Sequence, residues 1–288
     1  MAWQKHPVAV HCYTGLFKFG NWLQNLSNAL TPAPFHLLQI GSAFWQSRAL
    51  YVAARLDIAG VLSGDTLNAD CIAERVAADA DTLYRLLRML AAMGVFEEPS
   101  PRCFRNSRLS VCLRSDHPQS VRAMILMHNA PEMSRPWFEQ LEQSVRTGQV
   151  PFESVYGQPL YTYMDRHADF NSLFAQAMDS VEALTGDHFA TDFDWRRFRR
   201  VIDVGGSNGS KALAILKRHP QLTATVFDRA TVVEGAGEYW TGNVDPELLA
   251  RLEFQSGDLL TAAPTARDDG DVYLLSAVLH GMGDAYCI

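Results

Sequence analysis

The stretch "VIDVGGSNGS", Val201–Ser210, sets a short apolar run directly against a turn that holds Gly205, Gly206 and Gly209. The β-branched run predicts a strand, the glycines a tight turn, and the following "KALAILKR" a helix. In open parallel sheets this strand-turn-helix step is where nucleotide-like ligands sit. Spacing separates the candidates. A dinucleotide turn needs G-x-G-x-x-G, but counting from Gly205 the second and third positions are Ser207 and Ser210, and counting from Val204 the first is Val. A P-loop needs G-x-x-x-x-G-K-[ST]; "GGSNGSKA" places Lys211 correctly but gives Ser210 and Ala212 where Gly and a hydroxyl are required.

Around this stretch the pattern is strand alternating with helix: Val201 to Val204, a helix from Ser210 to Arg218, Thr223 to Phe227, Leu252 to Gln255, then Val272 to Leu279. Such alternation predicts a parallel sheet with helices on both faces. Asp228 ends the second strand and Asp258 follows the third. With Asp203, Gly205, Gly206 and Gly209, which read D-x-G-G-x-x-G, these carboxylates meet at three consecutive strand ends. That set suits S-adenosylmethionine: glycines let the backbone approach the ligand, Asp228 accepts ribose hydroxyls, and Asp258 meets the adenine edge. An Asp after a strand is otherwise a turn former or a helix cap.

Upstream the character is helical. Residues 1–34 show scattered aromatics, "TPAP" and no sustained period, so they read as an N-terminal extension with packing on a partner subunit as its expected role. From Phe35, apolar residues recur at helical spacing as far as Leu56, with Gly60 beyond. Asn68 is the expected cap of a short helix. Asp79 or Asp81 caps a longer one whose Leu83, Leu86, Leu87, Leu90 and Met93 form one face and which stops at Gly94. Val95–Glu98 and Cys103–Arg105 predict a two-stranded wing. Three helices and a wing make a winged-helix module, here expected over residues 35–120 as an otherwise all-helical domain. Residues 121–190 predict further helices rich in Met and aromatics.

Composition excludes several classes. The 288 residues are 48% hydrophobic and 20% charged, with a formal net charge of −7. An acidic chain whose third module helix exposes only Arg85 and Arg88 as cations has no footprint for nucleic acid, so the module is expected to serve packing or dimerisation rather than DNA contact. No uncharged apolar run approaches the roughly 18 residues of a membrane span. The five cysteines form no C-x-x-C pair, which fits reduced thiols, a cytoplasmic location and no metal site.

Taken together, "FWQSRALYVAARLDIAGVL", "DADTLYRLLRMLAAMGVF", "VIDVGGSNGS", "TVFDR", "GDLL" and "DVYLLSAVLHGMGD" resemble the class I S-adenosylmethionine-dependent O-methyltransferases of the plant and polyketide type, which include acetylserotonin and caffeate enzymes. The resemblance runs from Phe35 to the last residue. It implies a winged-helix domain that forms a homodimer and a Rossmann-like donor domain over 191–288. The donor would be held by Asp203, Gly205, Gly206, Gly209, Asp228, Asp258 and Leu259. It implies a small aromatic, hydroxyl-bearing acceptor, held in the 121–190 segment by Met127, Trp137, Phe174 and Met178. It places His280 as the general base, a role an imidazole can fill near neutral pH.

The sequence departs from that family at four places. Ser207 replaces a common Gly, Ser276 and Ala277 stand where a basic pair is frequent, and Gly281 and Met282 replace the Asp and Trp that follow the His. The chain also stops at Ile288, where the family continues with three more strands, so about four of seven are expected. "DVYLLSAVL" is nearly continuous in apolar residues, the composition of a strand buried on both faces, yet an end there leaves it as a sheet edge. Two other expectations stay open: a chain that binds the donor without transferring the methyl group, and a hydroxylase-type relative.

Overall fold

The computed structural model describes residues 7–281 and 283–287. Met282, residues 1–6 and Ile288 lie outside the described residues. Two compact units emerge: Lys18–Thr185, and Gly186–Ile288 together with Met1–Phe17.

Residues 1–34 were expected to lack a defined element, but α1 (Pro7–Leu30) runs through most of them and α2 (Ala33–Arg55) follows after Thr31 and Pro32. Glycines and aromatics obscured the period there; Gly15 and Gly20 sit within the helix with open space around them. The first half of α2 is exposed, whereas Ala49, Ala53 and Ala54 turn into a core.

That core belongs to the winged-helix module: α3 (Ile58–Leu62), β1 (Leu67–Asn68), α4 (Ala69–Arg75), α5 (Ala80–Ala92), β2 (Phe96–Ser100) and β3 (Cys103–Asn106). Ile58, Leu62, Ile72, Leu87, Leu90, Phe96 and Phe104 are fully buried in it. The helix ends follow local chemistry. The side chain of Asn68 accepts from the Asp70 N–H at 2.9 Å, and Asp79 rather than Asp81 caps α5 by accepting from the Thr82 N–H at 2.9 Å. Hydrogen bonding from the Thr82 side chain, and then from its backbone N–H, holds the Asp79 carboxyl below its ordinary range. At the far end the Val95 N–H reaches back to Leu90 O while Gly94 takes φ +75°. Met93, expected on the buried face, is 38% exposed.

The domain is not all-helical apart from a two-stranded wing. β1 adds a third strand in the order β1-β3-β2, all antiparallel. Two residues are too few to leave a periodic trace in sequence. Further helices follow: α6 (Arg122–Asn129), α7 (Pro131–Thr147), α8 (Pro151–Tyr156), α9 (Leu160–Arg166) and α10 (Ala168–Thr185). α6 and α10 share an apolar cluster with Met127, Met164, Phe170 and Ala177 buried at its centre.

In the other unit the elements are α11 (Phe189–Asp192), β4 (Arg200–Val204), α12 (Ser210–Arg218), β5 (Thr223–Asp228), α13 (Ala230–Val233), α14 (Ala236–Trp240), α15 (Pro246–Leu249), β6 (Leu252–Ser256), β7 (Asp271–Leu274) and α16 (Asp284–Cys287). The sheet is parallel in the order β6-β5-β4-β7. All five residues of β4 are buried, as an inner parallel strand requires. β7 differs from the expected Val272 to Leu279 strand: it ends at Leu274 and is half-exposed, with Tyr273 and Leu275 each 40% accessible. Its outer edge has no partner strand among the described residues, so its apolar composition does not bring burial.

Candidate active site

Parallel strands deliver their carboxyl ends to one rim, and the D-x-G-G-x-x-G turn stands on that rim between β4 and α12. Asp203 is 1% exposed and pairs in register with Val226 of β5 and Leu274 of β7. The Gly205 N–H then continues the ladder by donating to Phe227 O at 2.8 Å. Gly205 and Gly209 adopt φ +70° and +83°, and Ser207 takes the same left-handed region at +53°.

At each glycine the space left by the missing Cβ is contested by the chain's own atoms. A Cβ on Gly206 would stand 2.7 Å from the Asp203 carboxyl carbon, one on Gly205 would stand 2.7 Å from Val278 Cγ2, and one on Gly209 would stand 3.0 Å from Val226 Cγ2. These glycines are therefore required by packing, whatever ligand approaches them. The contact at Gly205 also fixes the segment after β7 against the turn. Two residues beyond Val278, His280 stands exposed in a 3-10 turn, Leu279–Gly281.

Asp228 and the turn are joined directly. One carboxylate oxygen accepts from the Ser207 N–H at 2.9 Å and the other from the Arg229 N–H at 2.8 Å. The ends of β5 and β6 are tied as well, since the Gly257 N–H donates to Asp228 O at 2.9 Å. Asp258 lies exposed just beyond, its Oδ1 accepting from the Leu260 N–H at 2.9 Å in a local turn. Leu259 packs against the buried Ile202, Val204 and Phe227. The structure thus gathers Asp203, Gly205, Gly206, Gly209, Asp228, Asp258 and Leu259 around one end of the sheet.

Of the expected acceptor residues, Met127, Phe174 and Met178 share the cluster between α6 and α10. Trp137 does not join it and is 60% exposed.

Other supporting residues carried no sequence signal. Trp240 Nε1 donates to Asn208 O at 2.6 Å, and the Asn208 side chain accepts from the Ser210 N–H at 3.1 Å, so the middle of the turn is clasped from α14. Gly257 lets the Phe227 ring lie flush, since a Cβ there would come within 2.3 Å of it. Near α8 and α9, the Tyr156 and Tyr163 rings stand 4.9 Å apart and Tyr163 stacks on His167 at 3.6 Å. Burial pushes both phenols above their ordinary range. At the opposite end of the sheet Arg200 and Asp271 form a buried pair with side chains 9% and 5% exposed. The guanidinium holds the Asp271 carboxyl below its ordinary range.

Residues 138–288 match the O-methyltransferase domain, and residues 38–116 match the O-methyltransferase dimerisation domain. The chain is 31% identical to the phenazine O-methyltransferase PhzM of Lysobacter antibioticus, over 91% of this chain and 74% of that protein. It superposes on the mitomycin 7-O-methyltransferase MmcR with a TM-score of 0.79 at 33% identity, over 88% of this chain and 73% of that one. Human N-acetylserotonin methyltransferase, solved in complex with S-adenosylmethionine, gives a TM-score of 0.76 at 26% identity, over 90% of this chain and 74% of that one.

Proposed function

This chain belongs to the O-methyltransferase family, and from that premise we propose that it methylates the hydroxyl of a small aromatic metabolite, with His280 taking the hydroxyl proton. It is an S-adenosylmethionine-dependent methyltransferase. The observation that carries the assignment of donor residues is the bond between Asp228 and the glycine turn. Each Asp228 oxygen accepts one backbone N–H, and a carboxylate has capacity for about four such bonds, so hydroxyls of the ribose can be accepted as well. The donor fits this rim: a left-handed turn offers backbone polar groups, carboxylates stand at two neighbouring strand ends, and Leu259 adds an apolar face for the base.

The bound donor supplies a methyl group activated by its sulfonium charge. The chain's own part is to hold and to deprotonate. Asp203, Gly205, Gly206 and Gly209 shape the turn, Asp228 holds the ribose, and Asp258 with Leu259 holds the adenine. Met127, Phe174 and Met178 form the apolar wall for the acceptor; Trp137, outside that cluster, keeps its assignment to the acceptor only by the resemblance. His280 removes the acceptor proton so that a phenolate-like oxygen meets the methyl group; positioning of this kind and general-base action are the two contributions required of the protein. Residues 35–120 pair the copies, 121–190 hold the acceptor and 191–288 hold the donor. The dimerisation-domain match supports homodimer formation. No helix among the described residues is long and apolar enough to cross a membrane.

Two variants test the assignment. Asp228→Asn turns one acceptor into a donor facing a backbone N–H, and calorimetry should show donor affinity lower by about tenfold or more. His280→Ala should leave that affinity nearly intact while turnover on a panel of phenols and aromatic amines falls at least about a hundredfold. Undiminished turnover in the His280 variant removes the base; transfer confined to the amines removes the hydroxyl acceptor.

A further inference from the structure

The turn between β4 and α12 contains one residue that resists its own backbone conformation. Ser207 takes φ +53°, a left-handed geometry that is disfavoured roughly tenfold for a residue with a Cβ. Gly205 and Gly209, the other left-handed positions of the turn, carry no such penalty. A conformation of this kind persists only where the surroundings hold it.

Two side chains from beyond the turn supply that hold. Before the Ser207 Cα, its N–H donates to Asp228 Oδ2 at 2.9 Å. After it, Trp240 Nε1 donates to Asn208 O at 2.6 Å. The Asn208–Gly209 peptide is fixed at its other end as well, since the Gly209 N–H donates to Gly206 O at 2.9 Å. Phe254 of β6 brings α14 and the turn together: a Cβ on Gly209 would lie 3.5 Å from its Cε1, and one on Gly237 of α14 would lie 4.0 Å from its Cδ2. The ring of Trp240 packs on the core that contains Val226 and Leu252. A phenyl ring would serve that packing, but only the indole N–H serves the carbonyl.

We propose that Trp240 is a positioning residue of the donor site, acting through the Asn208–Gly209 peptide. It keeps Ser207 left-handed, and so keeps the Ser207 N–H on Asp228 with the carboxylate turned to receive the ribose. The inference rests on the reading of Asp228 and the turn as the site of the donor. Without the indole N–H the turn relaxes, the donor must bind a smaller competent fraction, and its dissociation constant rises by the reciprocal of that fraction.

Calorimetry of the 288-residue chain with S-adenosylmethionine tests this. W240F keeps a ring on the core and removes the donor to Asn208; it should raise the dissociation constant by about tenfold. W240M, which fills the same space with a flexible apolar chain, should do the same and retains the test if W240F folds poorly. V244A loosens the same core without touching the turn, and should lower the thermal midpoint while changing donor affinity by less than about twofold. The decisive measurement is rescue. Glycine at position 207 adopts the left-handed region freely, so in an S207G background W240F should raise the dissociation constant by less than about threefold. An unchanged constant in W240F and W240M, an equal rise in V244A, or an undiminished effect of W240F in the S207G background overturns the proposal. Asp228→Asn distinguishes the two levels of failure. If it weakens donor binding while W240F does not, Trp240 alone loses its role; if neither weakens it, the rim is not the donor site.

Discussion

β4 and β7 are neighbours in one parallel sheet, with Ile202 opposite Tyr273 in register, and both come from runs rich in Val and Leu or Ile. Their surroundings differ completely. Ile202 is fully buried, while Tyr273 and Leu275 are each 40% exposed. β4 has β5 on its other side and α12 packed on the shared core; β7 has β4 on one side and no further strand among the described residues. An apolar run makes a strand, but its place in the sheet order decides how much water it escapes.

The contrast can be broken by experiment. Ile202→Ala should cost most, about 3 to 4 kcal/mol, because the cavity sits where neighbours on both sides are fixed. Denaturant unfolding would measure it, and a loss below about 1 kcal/mol would mean that β4 is not the rigid centre. Next comes Asp271→Asn, which strands the buried Arg200 guanidinium between β4 and β7 and should cost roughly 3 kcal/mol. The same pair fixes a pH dependence. The Asp271 carboxyl titrates lower in the folded chain than the unfolded value of about 3.9, so its contribution is complete above that value and is lost as pH falls through the folded one. Acid titration of stability should therefore be shallower in Asp271→Asn; an unchanged slope would deny the pair its role. Leu275→Ala should cost least, within about 0.5 kcal/mol. If it approached Ile202→Ala, the edge of β7 would be covered in solution.

Much of this was legible from residue order. The strand, turn and helix around Gly205 were readable because glycine at left-handed positions and a β-branched run leave local marks, and Asn68, Asp79 and Gly94 mark helix ends for the same reason. Other features were not. β1 is too short to show a period, and the helical period of α1 was hidden because its apolar residues are interleaved with Gly15 and Gly20 and with closely spaced aromatics such as Phe17 and Trp22. The clasp of Trp240 on Asn208 joins residues far apart in sequence, and no local pattern encodes such a meeting. Each glycine of the turn was readable as glycine, but its neighbour was not: only the folded chain shows Asp203 against Gly206 and Val278 against Gly205.

Residue order by itself determined the longer helices from α2 onward, the parallel alternation and the acidic and glycine positions at the strand ends, because backbone freedom and apolar spacing are properties of a few adjacent residues. Tertiary structure alone decided which apolar runs lose water, which N–H groups Asp228 holds and which leucines of α1 remain uncovered. Those outcomes depend on sheet order and on contacts between distant segments, and the free energy of burial is set by what stands opposite a side chain rather than by the side chain itself.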